Sequence, residues 1–94
     1  GDRAVQTAQE TIVSMDKAID LAKSNAENTR DEINYLRKQL IIGQSTLDSV
    51  LSAEARLYEA EAKEINFLAD RRLAELTVLS ATGLLSDFLE IDLN

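Results

Sequence analysis

The stretch "LIIGQSTLDSVLSAEARLYEA", Leu40–Ala60, decides how this chain folds. It contains the first interior glycine of a 94-residue sequence that has no proline and only three glycines. Glycine takes the left-handed conformation that ends a helix at no steric cost, so Gly43 reads as a stop. Two residues later, Ser45-Thr46-Leu47-Asp48 reads as a restart. Ser45 is the expected N-cap, and Asp48 sits in the first turn, where an acid favours the positive helix end. A tight turn between two long helices makes an antiparallel hairpin. Gly43 is the expected reversal point.

Upstream of the turn the apolar pattern is sustained. Val5, Ala8, Ile12, Met15, Ile19, Ala22, Ala26, Thr29, Ile33, Leu36 and Leu40 follow one another at alternating steps of three and four. That is the 3.5-residue repeat of a left-handed coiled-coil seam. A helix of about 40 residues at 1.5 Å per residue runs roughly 60 Å. Downstream, Leu47, Leu51, Ala55, Tyr58, Ala62, Ile65, Ala69, Leu73 and Leu76 form one stripe. Folding back about Gly43–Gln44 is expected to set this stripe on the first helix, with Leu36 near Leu51 and Ala26 near Ala62. A second stripe (Val50, Ala53, Leu57, Ala60, Phe67, Leu68 and Leu79) is then left over, and so wide an apolar arc calls for another neighbour. Glu54 falls among these apolar positions and reads as an edge residue or a partner for Arg37 or Lys38. Beyond Gly83, a second cap, lies a short tail in which Ser86 can cap a further turn and Leu84, Leu85, Phe88, Leu89, Ile91 and Leu93 are apolar. The expected fold is all-α: a long antiparallel coiled-coil hairpin with helices over about 3–42 and 46–82, a tip at 43–45 and a tail at 84–94. The leftover stripe is expected to drive dimerisation into a four-helix bundle.

Composition narrows the function. Seventeen acids against ten bases give a net charge of −7, which disfavours a nucleic-acid surface and an anionic membrane. An interfacial lipid-binding helix needs a basic polar face, which an excess of acids does not supply. The chain has neither His nor Cys, and therefore lacks the usual transition-metal ligands and most nucleophile–base pairs. Neighbouring carboxylates such as Glu59 and Glu61, or Glu90 and Asp92, do not share a helix face. Glu61 and Glu64 do, without a pocket to work in. No catalytic residues, metal or cofactor are expected, and an enzyme is not.

The segment "IIGQSTLDSVLSAEARLYEAEAKEINFLADRRLAELTVLSATGLL" resembles the second periplasmic hairpin of TolC-like outer-membrane efflux and secretion channels. The resemblance is carried by Gly43, Thr46, Val50-Leu51, Ala53-Glu54, Leu57-Tyr58 and Ala60, and by Ala81, Gly83 and Leu85. It covers roughly Leu36 to Leu85; the first helix matches only in length and heptad character. It implies a homotrimer with a β-barrel in the outer membrane and an α-helical barrel in the periplasm, of which this chain would be one piece. It also implies that the tip docks a periplasmic adaptor (membrane fusion) protein, which makes Ile42, Gly43, Gln44 and Ser45 the partner-binding residues. The family's tip motif is Val-Gly-Thr or Val-Gly-Leu, and here it reads Ile42-Gly43-Gln44. Some members place aspartate rings and a gate arginine just after the tip. Those places hold Ser45, Ser49 and Ser52, with Asp48 the only nearby acid, so Asp48, Ser49 and Ser52 are the pore-entrance positions and the salt-bridged gate does not carry over. The competing expectation is a structural or signalling coiled-coil hairpin, which requires only one seam per helix.

Overall fold

The computed structural model describes residues 2–83 and 89–91. It consists of two helices, α1 (Asp2–Ile41) and α2 (Leu47–Thr82), packed side by side as an antiparallel hairpin 61 Å in its longest dimension. Among the described residues there is no strand. The rod length follows from α1, because 40 helical residues at about 1.5 Å each span about 60 Å.

The α1 seam is the one its spacing predicts. Ala8, Ile19, Ala22, Ala26, Thr29 and Ile33 are buried, and Val5, Ile12, Met15, Leu36 and Leu40 are half-buried. Thr29 is the polar member, and its hydroxyl donates to the Asn25 carbonyl at 2.7 Å, one turn back. A buried hydroxyl satisfied within its own helix costs the seam little.

The α2 seam is not the one expected, because its two stripes are exchanged, except that Leu68 stays exposed. Leu47, Leu51, Tyr58, Ile65 and Leu73 stand 55–77% exposed. Facing α1 instead are Val50, Ala53, Ala60 and Ala74, which are buried, with Leu57, Glu64, Phe67, Arg71 and Val78 half-buried between them. The reason is periodic. These positions alternate steps of three and four without a break, as those of α1 do. The leucine stripe averages about 3.6 residues per turn, and against a 3.5-residue seam it drifts by about 20° per heptad. Only the strict repeat stays on α1 over the whole rod. Small residues help, since Ala53 at 0%, Ala60 at 2% and Ala26 at 1% exposure let the backbones approach. Ala60 thus takes the close-contact role expected of Ala62, which is half-buried.

Ion pairs line both edges of the seam. Arg30 meets Glu61 at 3.4 Å, and one heptad nearer the tip Arg37 meets Glu54, the partner its position suggested. Arg56 holds Glu32 through both guanidinium nitrogens, at 2.8 and 3.0 Å. Arg71 binds Asp16 at 2.6 Å and Glu75 at 2.8 Å. These pairs fix the axial register that a reversal about Gly43 sets, although the rotation of α2 differs. Near the end away from the tip an open groove of about 850 Å³ lies between the helices, with Thr7, Thr11 and Met15 on one wall and Leu73 and Thr77 on the other.

α2 ends at Gly83, whose φ of +76° and N–H bonds to the Leu79 and Ser80 carbonyls make it a left-handed cap. The expectations for Leu84, Leu85, Ser86, Phe88 and Leu93 fall outside the described residues. Leu89 and Ile91 are exposed.

Candidate functional site

The tip is built by two caps set back to back. Gly43, at φ +77°, occupies the left-handed position after α1. Its N–H reaches the Leu40 carbonyl at 3.1 Å, and the Gln44 N–H reaches the Gln39 carbonyl at 2.7 Å. This pair of bonds is the Schellman closure, which satisfies carbonyls that a helix end leaves open. Ser45 is not the N-cap of α2. Its hydroxyl points back and donates to the Leu36 carbonyl at 2.7 Å, tying the turn to α1. Thr46 is the cap, in extended backbone (φ −116°, ψ 157°), and its Oγ1 accepts from the Ser49 N–H at 3.1 Å. The cap moves by one residue because the Schellman closure takes Gly43 and Gln44, and the Ser45 hydroxyl is then held by the Leu36 carbonyl of α1. Asp48 lies in the first turn of α2, as expected.

The outcome is an apolar knob. Ile41 is 84% exposed, Ile42 65% and Leu47 59%, with Gly43 and Gln44 exposed between them. Ser45 is half-buried by its bond to α1. No atom lies within 4 Å of where a Cβ on Gly43 would sit, so a partner can meet bare backbone there. Ile41 and Leu47 were not among the residues expected from sequence to form the partner-binding tip. The signal for them was present, since branched apolar residues beside a reversal have little to bury against.

Beside the knob, Asp48, Ser49 and Ser52 come together. With Arg56, also on α2, they line one wall of a shallow hollow of about 310 Å³, and Glu32 and Leu36 of α1 line the other. The three positions expected at a pore entrance therefore share one surface with a cation and an anion already paired. The Arg56 guanidinium, by its hydrogen bonds, holds the Glu32 carboxyl below the usual carboxylate range, and Glu32 in turn raises Arg56. Asp16, chiefly through its hydrogen bond, raises Arg71.

The second surface is the exposed stripe of α2, from Leu47 at the tip to Leu73 thirty-odd ångströms along the rod, at about 1.5 Å per residue. At about 100° per residue, its mean direction lies roughly 160° from the face that meets α1. Most of an apolar row so placed is out of reach of the hairpin's other arm, and only Leu73 also borders the open groove between the helices. Among the described residues no group of three or more His, Cys, Asp or Glu side chains is placed to hold a metal ion, and no helix is long and apolar enough to cross a membrane.

The fold and its two surfaces define a class: a coiled-coil hairpin with an apolar tip and an apolar flank. Compared with protein-family models, with curated proteins and with solved structures, the chain matches none of them.

Proposed function

We propose that this hairpin is a wall element of a trimeric outer-membrane channel for efflux or type I secretion, with the described segment in the periplasm. Its tip docks a periplasmic adaptor protein. The observation that carries this reading is the exposed stripe of α2, on the side away from α1. A helix in a barrel wall has a neighbour on each side, and α2 has an apolar face for each. The tip supports the same reading, because Ile41, Ile42 and Leu47 surround a glycine with open space above it. The resemblance of the segment from roughly Leu36 to Leu85 to the hairpins of such channels supports this class of channel. On this reading Asp48, Ser49 and Ser52 stand at the pore entrance and the chain performs no covalent chemistry. A scaffold or signalling hairpin would need the seam alone, and the exposed stripe would have no purpose in it.

The test is Gln44→Trp in the full-length protein. Gln44 is exposed, so a bulky side chain there leaves the turn and the seam untouched. The expected result is normal trimer in the outer membrane with adaptor-dependent export lost. Normal export by a correctly assembled Gln44→Trp protein would overturn the docking role of the tip.

A further inference from the structure

We infer that the tip breaks the frame of the apolar repeat and so bars the chain from exchanging arms with a second copy. A hairpin with a short turn is open to such exchange. If its turn becomes helical, α1 of one copy can make with α2 of the next the contacts it makes within its own chain. The two seams show what opposes this. The α1 seam ends on Ile33, Leu36 and Leu40, and the α2 seam begins on Val50, Ala53 and Leu57. Carried on through the turn in steps of three and four, the α1 repeat does meet Val50 and Leu57. Its alternate positions arrive one residue late. They fall on Glu54, Glu61, Leu68 and Glu75, whereas the hairpin sets Ala53, Ala60, Phe67 and Ala74 against α1.

A straightened chain has two ways to pack, and both are unfavourable. Holding the α1 frame replaces three alanines of the seam by three glutamates, and carboxylates withdrawn from water weaken the packing. Holding the alanines means turning the packed face by about 50°, half the angle between successive residues, between Leu47 and Ala53. That is the local overwinding that a three-residue shift imposes on a coiled coil. The turn removes the conflict, because residues 42–46 belong to neither helix and let α2 begin at its own rotation. Glu54 and Glu61 then stand beside the seam, where Arg37 and Arg30 meet them. The same carboxylates favour the hairpin and oppose the straight form. None of this rests on the channel reading, since it concerns only how the two arms of one chain find each other.

The chain has no cysteine, so two introduced cysteines can carry a donor and an acceptor dye. Gln6→Cys and Ser80→Cys put them at exposed positions at the same end of the hairpin. In one straight helix the same positions are about 110 Å apart. The labelled chain is melted and cooled at high concentration with a large excess of unlabelled chain of the same sequence, circular dichroism checking that each variant is helical. Side-by-side association of intact hairpins leaves energy transfer within the labelled chain unchanged, whereas arm exchange abolishes it. Transfer should survive in the wild type and in Gly43→Ala. Four alanines inserted before Ser45 in the Gly43→Ala chain bring both seams into one frame, and transfer should be lost. Two alanines inserted there turn the α2 seam to the opposite side of the helix, and transfer should be kept. Loss of transfer in the wild type or in Gly43→Ala, or equal transfer in the two insertion variants, would overturn the inference. None of these results bears on export by Gln44→Trp in the full-length protein, so the two readings fail separately.

Discussion

Gly43 and Thr46 show how much of this fold is decided by single residues. At φ +77° an L-side chain meets its own carbonyl, a cost of about 1–2 kcal/mol, while the space around the missing Cβ is open. Gly43→Ala should therefore lower stability by about that amount through backbone conformation alone. Gly43→Asn should cost less, since asparagine tolerates this region; urea unfolding of the two variants measures the difference. Thr46→Ala should cost about 1 kcal/mol by removing the acceptor for the Ser49 N–H, whereas Thr46→Asp should retain most of that stability. If Thr46→Ala proved neutral, the cap would lie elsewhere. The existence of the turn was legible in the sequence because glycine is the cheapest way to enter the left-handed region. The identity of the cap was not. Two hydroxyl residues stand side by side, and only the two residues consumed by the Schellman closure determine which one faces α2.

At the scale of the helix, α1 could be read directly and α2 could not, for a reason visible in particular residues. Every seam position of α1 is apolar or small, so its 3.5-residue repeat stands out. In α2 the same repeat passes through Glu64 and Arg71, whose long side chains lay their stems on the seam and carry their charges outward. The seam's alanines look weak beside a row of leucines. Strict spacing outranked hydrophobicity. It follows that Ala60→Leu should overpack the closest approach of the helices and cost on the order of 1–3 kcal/mol. Ala62→Leu should not, and thermal melts at a concentration where the chain is monomeric separate the two. Equal losses would mean that the rotation of α2 described above is wrong. The edge pairs are exposed and each contributes little, but Glu32 gives a pH signature. Its carboxyl titrates below its unfolded value, so the stability from the Arg56 pair is complete above the ordinary carboxylate range and is lost as pH falls through the lowered value. Wild-type protein should melt above Glu32→Gln at pH 7, and the gap should close as the pH falls below the ordinary carboxylate range and through the lowered value. A gap that persisted in acid would assign the effect to packing and not to charge.

At the scale of the whole molecule, α2 follows two different rhythms, one toward α1 and one toward the outside. A coiled-coil rod of this kind changes length without losing its seam only by whole heptads, one removed from each arm at the same level. Deleting residues 17–23 together with 64–70 should accordingly leave a shorter hairpin that still melts cooperatively, and circular dichroism during heating checks it. A chain that lost its cooperative transition would show that the ends depend on that stretch specifically. The outward stripe does not share the seven-residue rhythm. Each heptad removed or added keeps the hairpin intact and every residue in its place relative to the seam, but the seam itself winds, so the parts of the rod on either side of the change turn by about 20° relative to each other. Length in such a hairpin therefore also acts as an aiming control: variants that differ by one heptad present the same residues to their surroundings at a different angle, and a lineage can redirect its contacts by insertion without altering a single contact residue.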